Sequence, residues 1–172
     1  ISLGLVGSEM CIRDSQVAII GDTGRVLASN PQVSPGGDVS RASWFAWHRD
    51  RNSDVPYVSA TVGRREPHVV FSRRINNSAG RFAGVATVAV DPAFFTSSYE
   101  RSRLGERGLL GVAGHDGIVR ALRVGERVSW GQRVAIGADD SVKLGRDGID
   151  GELRYTSTRA LGGFPLVALV GL

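Results

Sequence analysis

Beyond its first fifteen residues the chain is organised by short apolar runs broken by turn residues, not by long helical stripes. Val17-Ala-Ile-Ile-Gly-Asp-Thr-Gly-Arg-Val-Leu-Ala-Ser29 is an apolar run, an Asp-x-Gly turn and a second apolar run. Leu109-Leu-Gly-Val-Ala-Gly-His-Asp-Gly-Ile-Val-Arg-Ala-Leu122 repeats that pattern. Glycine adopts positive φ without steric cost, so an Asp–Gly turn between two β-rich runs predicts a hairpin. A second hairpin follows each, after an irregular stretch. In the first half it runs from His68–Ile75 through Asn76–Gly80 into Arg81–Val90; in the second, from Leu153–Leu161 through Gly162-Gly163 into Phe164–Val170. Hairpin, variable middle and hairpin, met twice, predict an α+β chain of two tandem lobes. Each lobe is expected to be an antiparallel sheet of about five strands with flanking helices.

Two helices are expected between these strands. Residues 91–104 read as a link between the lobes, with Asp91 as cap, Pro92 at the first helical position, and Phe94, Phe95, Ser98 and Tyr99 on one face. Residues 40–48 read as a short helix capped by Ser40, which places Arg41, Trp44, Phe45 and His48 on one stripe. A guanidinium beside two aromatics either pairs with a buried acid or awaits an anionic ligand, so Arg41 is a candidate contact. Trp44 and Phe45 are read first as packing against the sheet and second as pocket walls. His48 is read first as a structural histidine.

Adjacent residues on a strand point to opposite faces, so at most one of Arg73 and Arg74 faces a pocket. Val69, Phe71, Arg73 and Ile75 form the more apolar alternation and are expected to face inward, making Arg73 the candidate. Asp91 ends an apolar strand, where its carboxylate is able to meet a ligand amine or cap the next helix. Tyr57 is a candidate donor from a pocket wall.

Composition narrows the function. A hydrophobic fraction of 42% and a charged fraction of 22% are those of a folded globular chain. Of 21 basic residues only Lys143 is a lysine, a bias that a GC-rich genome produces. The arginines are scattered among 17 acids with no dense basic stripe, which argues against a nucleic-acid partner. The three histidines (His48, His68, His115) lack metal-ligand spacing, and no nucleophile elbow, phosphate loop or paired-carboxylate motif is present. No catalytic residue, metal or cofactor is expected.

The amino terminus reads differently from the rest. Leu5 to Asp14 back-translates as CTC GTG GGC TCG GAG ATG TGT ATA AGA GAC, which resembles a widely used transposase sequencing adapter in one open frame; a following AGN codon gives Ser15. Residues 1–15 are therefore expected to be non-native and to pack poorly. Glu9, Arg13 and Asp14 interrupt any apolar signal-peptide core. Met10 and Cys11 are the chain's one methionine and one cysteine, so residues 16–172 exclude thiol catalysis and disulfides.

Taken together these residues resemble the double Cache family, the two-lobed PAS-like sensor domains of bacterial receptors. The likeness lies in Ile20-Gly-Asp-Thr-Gly-Arg-Val26, Val39-Ser-Arg-Ala-Ser-Trp-Phe-Ala-Trp-His48, Ser72-Arg-Arg-Ile75 with Gly80-Arg-Phe-Ala-Gly-Val85, Val90-Asp-Pro-Ala-Phe-Phe95 and Gly114-His-Asp-Gly-Ile-Val119. The resemblance implies a membrane-distal lobe, about 16–104, binding a small, often carboxylate-bearing molecule between its sheet and the Arg41 helix. A membrane-proximal lobe, about 105–172, would relay the change to a transmembrane helix. Arg41 matches the arginine of the ligand loop, and Asp91 the acid that meets the α-amino group in amino-acid-binding members. Those members carry Arg-x-Trp, whereas this chain has Arg41-Ala-Ser-Trp44. The resemblance further implies a periplasmic domain of a homodimeric inner-membrane receptor, anchored by flanking helices, whose output domain is a diguanylate cyclase or histidine kinase. The alternative is the same fold serving as a dimerisation or spacer module without a ligand.

Overall fold

Alternating apolar and small residues carry the chain through two antiparallel sheets in a computed structural model that describes residues 15–30, 37–63, 66–97, 104–136, 142–146 and 149–172. The first sheet contains β1 (Ser15–Gly21), β2 (Val26–Asn30), β3 (Tyr57–Val58), β4 (Val69–Asn76) and β5 (Phe82–Val90), in the order β2-β1-β5-β4-β3. The second contains β6 (Leu109–Gly114), β7 (Val119–Val124), β8 (Arg127–Ser129), β9 (Lys143–Arg146), β10 (Leu153–Leu161) and β11 (Leu166–Gly171), in the order β8-β7-β6-β11-β10-β9. With the extra edge strand β8 set aside, the second order reproduces the first. All four hairpins read from the sequence are present.

Gly24 shows why the first turn needs glycine. Its φ is +87°, and an added Cβ would lie 2.6 Å from the Cα of Ser40, so the turn requires both the conformation and the space. Ser15, the last residue of the adapter-like segment, pairs with Val90 at the start of β1. Residues 1–14 lie outside the described residues.

The helices depart from expectation. The helix over the first sheet, α1 (Ser43–Asp50), starts three residues later than the sequence suggests, and its cap, Ala42, makes no side-chain hydrogen bond. Ser40 donates its N–H to Asp38 Oδ1 at 2.8 Å, so it belongs to a preceding turn and not to the helix. The inter-sheet link begins as expected, with Asp91 Oδ1 accepting the Ala93 N–H at 2.7 Å, but it forms a 3₁₀ turn over Pro92–Thr96. Within it Phe95 packs on Phe71 while Phe94 is 54% exposed, so the two do not share a face. Ser98 and Tyr99 lie outside the described residues. The flanking helices expected on the second sheet are absent among the described residues; Val134, Ile136 and Ile149 pack against its core instead. No helix among the described residues is long and apolar enough to cross a membrane.

The core has three parts. Ile20, Phe45 and Val85 form one beneath α1, and Leu109, Ala113, Val119, Leu122, Val167 and Leu169 form another in the second sheet. The third, Val58, Val69, Val112 and Leu166 with Phe71, Phe95 and Leu161, joins the two sheets. Arg120 reinforces this seam. Its side chain is 5% exposed, grips both carboxylate oxygens of Asp116 at 3.1 and 3.0 Å, and donates to the Val58 carbonyl at 3.3 Å. Thr61 Oγ1 returns a bond to the Arg120 carbonyl at 2.6 Å.

Candidate functional site

The carboxyl end of α1 is held to the sheet by Arg74. Arg51 is already extended, so the last carbonyls of the helix have no helical partner. Arg74 Nη1 donates to the carbonyls of His48, Arg49 (3.4 Å) and Arg51 (3.1 Å), where a positive charge also complements the helix dipole. Its Nε donates to Asn76 Oδ1 at 2.6 Å, and the guanidinium lies 4.8 Å from the centroid of Phe82.

This placement corrects the expected face of β4. Ser72 and Arg74 point toward α1, whereas Val69 and Phe71 point into the seam between the sheets, so Arg73, exposed, is on the side away from the helix. The strand is buried on both faces over its first half, so apolar content does not reveal which face the helix covers.

His48 is wholly buried, with Nε2 3.0 Å from Ser72 Oγ. The Ser72 hydroxyl donates to the Tyr57 carbonyl at 3.2 Å, so it accepts from a protonated Nε2. That tautomer leaves Nδ1 as a buried acceptor with no hydrogen-bond partner among the described residues. Burial pushes the His48 pKa below its ordinary 6.5; hydrogen bonding at Ser72 opposes this and the Arg74 charge adds to it. Around the imidazole, Trp47 stands edge-on at 4.8 Å, and Tyr57, half-buried, lies 5.7 Å from Trp47. Arg51 sits 5.5 Å over the same indole.

Of the seven residues singled out, His48, Phe45 and Tyr57 gather between α1 and the first sheet. Phe45 is core, 1% exposed and edge-on to Phe82 at 5.6 Å. Trp44 is half-buried against Phe45 at 6.2 Å. Arg41 lies ahead of the helix, exposed, and makes no hydrogen bond or ion pair among the described residues. Its charge adds to the lowering of the Asp38 pKa, which Ser40's hydrogen bonds dominate. Asp91 is engaged as the cap of the 3₁₀ turn. Trp47, Ser72 and Arg74 belong to the cluster and were not singled out by sequence. The signal for the last two was their shared alternation with Asn76, three polar residues at every second position of β4, against Val69, Phe71 and Ile75 on the other alternation. No group of His, Cys, Asp or Glu among the described residues is arranged to hold a metal. A separate cleft of about 270 Å³ lies on the second sheet, and none of the seven lines it.

Two antiparallel sheets of the same strand order, an apolar seam between them and a helix laid over the first define the fold of extracellular receptor sensor domains. The extracellular domain assigned to the histidine kinase rpHK1S-Z16 is similar at TM-score 0.78 and 23% identity, over 90% of this chain and 68% of that one. An extracellular ligand binding receptor from Desulfohalobium retbaense is similar at TM-score 0.62 and 15% identity, over 91% of this chain but 29% of the receptor's. The ligand binding domain of the Pseudomonas aeruginosa amino acid chemoreceptor PctC, in complex with GABA, is similar at TM-score 0.58 and 16% identity, over 91% and 74% of the two chains. No protein-family model and no curated protein matches the sequence.

Proposed function

We propose that this chain is the extracytoplasmic small-molecule sensing domain of a transmembrane receptor, with no catalytic activity of its own. Residues from about 16 to 104 take a small carboxylate-bearing ligand between the first sheet and α1. Residues from about 105 to 172 pass the resulting bias between two arrangements toward the membrane. The single observation that carries the reading is His48: a buried, neutral imidazole on the helix–sheet face, with an acceptor nitrogen that no donor among the described residues reaches. Such an orphan costs about 1–3 kcal/mol unless a donor arrives, and a ligand amine supplies one. Arg41, exposed at the entrance to α1, is the guanidinium available to the carboxylate. GABA, held by the similar PctC domain, has both groups. Residues 1–15 are assigned to adapter-derived sequence, and flanking helices to the membrane anchors of a homodimer.

Titration of the Trp130→Phe variant with GABA, L-serine and succinate, followed by tryptophan emission, tests this, because the remaining tryptophans, Trp44 and Trp47, sit on α1. A saturable change is expected with at least one compound, weakened tenfold or more in Arg41→Ala and unaffected in Arg73→Ala. Equal affinity in Arg41→Ala, or no change with any of the three, contradicts the reading.

A second reading, a dimerisation module, has its own observation. Val17, Ile19 and Val88 are 46%, 37% and 36% exposed, and Val17 pairs with Val88 across β1 and β5 on the face away from α1. If two copies meet there, Val17→Asp converts a dimer to a monomer in sedimentation; a monomeric parent chain rejects this reading.

A further inference from the structure

The hydrogen bonds of the two sheets repeat as well as their strand order. Gly24 donates to the Gly21 carbonyl at 3.0 Å and Gly117 to the Gly114 carbonyl at 2.9 Å. Val39 then donates to the Gly24 carbonyl at 2.9 Å, and Val134 to the Gly117 carbonyl at 2.8 Å. Isolated bridges pair Arg25 with Asp38 and Ile118 with Arg133. Gly114 is thus the counterpart of Gly21, Arg133 of Asp38 and Val134 of Val39. The segment that leads into α1 over the first sheet corresponds to Arg133–Ala135 over the second.

The cleft of about 270 Å³ lies under that corresponding segment. At about 30 Å³ per water it has room for roughly nine waters. Leu109, Val134 and Leu169 form its apolar lining, and Thr156, Thr158, Arg133 and Arg146 its polar one. No carboxylate lines it among the described residues. Arg146 Nη1 donates to the Gly151 carbonyl at 3.0 Å and Arg133 Nη1 reaches the Asp116 carbonyl at 3.5 Å, so each guanidinium keeps donors unused. Two guanidinium groups with no carboxylate partner among the described residues, two hydroxyls and an apolar lining suit a carboxylate at one end of a short hydrocarbon body.

We infer that the second sheet holds its own ligand site, separate from the one under α1, for a small organic anion with a short apolar chain. Two sites on the two repeats make the domain able to integrate two chemical signals.

The test is a titration of the ¹⁵N-labelled 172-residue chain with hexanoate, and with hexanamide as the uncharged counterpart. Hexanoate is expected to shift the amides of Arg133–Ala135 and Thr156–Thr158, and hexanamide to bind at least tenfold more weakly. The double variant Arg133→Gln/Arg146→Gln, both positions being exposed, is expected to keep its spectrum and to lose hexanoate binding tenfold or more. Absence of shifts at millimolar hexanoate, shifts confined to α1, equal binding of hexanamide, or undiminished binding in the double variant each overturns the inference. Shifts at Arg133–Ala135 and Thr156–Thr158 do not depend on whether a ligand occupies the space under α1.

Discussion

Arg74 does for α1 what the helix's own end does not. It satisfies carbonyls that Arg51, already extended, leaves open, and it rests on Phe82 while doing so. Arg74→Met keeps most of the apolar contact and removes the donors, so a loss of about 1–2 kcal/mol in urea unfolding is expected. His48 makes a second prediction at this scale. Its folded-state pKa is below 6.5, so the neutral form favours the folded state. That contribution is complete above pH 6.5 and is lost as the pH falls through the lowered folded value. Melting temperature is therefore expected to drop between pH 7.5 and 5, and His48→Gln to remove that part of the drop. A variant with the same pH profile as the parent argues against a neutral buried His48. Arg41, Trp44, Phe45 and His48 were visible in the sequence as a stripe, but the stripe assumed a helix from Ser40. Asp38 draws Ser40 into a turn first, and that side-chain competition leaves Arg41 outside the helix.

Hairpins were the most legible elements because their signals are local. Asp22-Thr23-Gly24 and Asp116-Gly117 fix turns whose glycines have φ of +87° and +74°. Gly24→Ala meets both an unfavourable φ and the backbone of Ser40, and a loss of at least about 1–2 kcal/mol is expected by thermal unfolding. An unchanged melting temperature would mean that the Ser40 turn yields. Strands β8 and β9 were not foreseen: they are short edge strands, and every residue of β9, Lys143–Arg146, is exposed, so no apolar alternation marks them. The face of β4 was also illegible, since burial against α1 on one side and the second sheet on the other erases the pattern of period two.

At the scale of the whole molecule, the seam of Val58, Val69, Val112 and Leu166 packs the two sheets together, so they are expected to unfold as one unit. Val69 is fully buried there, and Val69→Ala is expected to cost about 2 kcal/mol. Tryptophan emission of the Trp130→Phe variant, which reports α1 through Trp44 and Trp47, and far-ultraviolet dichroism, which reports both sheets, should give coincident urea transitions. Separate transitions would show that the seam does not couple the repeats. The two antiparallel sheets were readable from the two Asp–Gly hairpins. Of the cluster between α1 and the first sheet, His48, Phe45 and Tyr57 were singled out by sequence, whereas Arg74 and Ser72 are set by strand alternation and a helix start that tertiary packing decides.

That the chain is a sensor domain is tested most directly by its thermal stability in the presence of small carboxylates, amines and purines. Binding to the folded state adds about 2.7 kcal/mol at one hundred times the dissociation constant. For a chain of this length that raises the melting temperature by roughly 5–10 °C. A concentration-dependent rise with at least one compound is the predicted result; a melting temperature that no compound in the panel raises contradicts it.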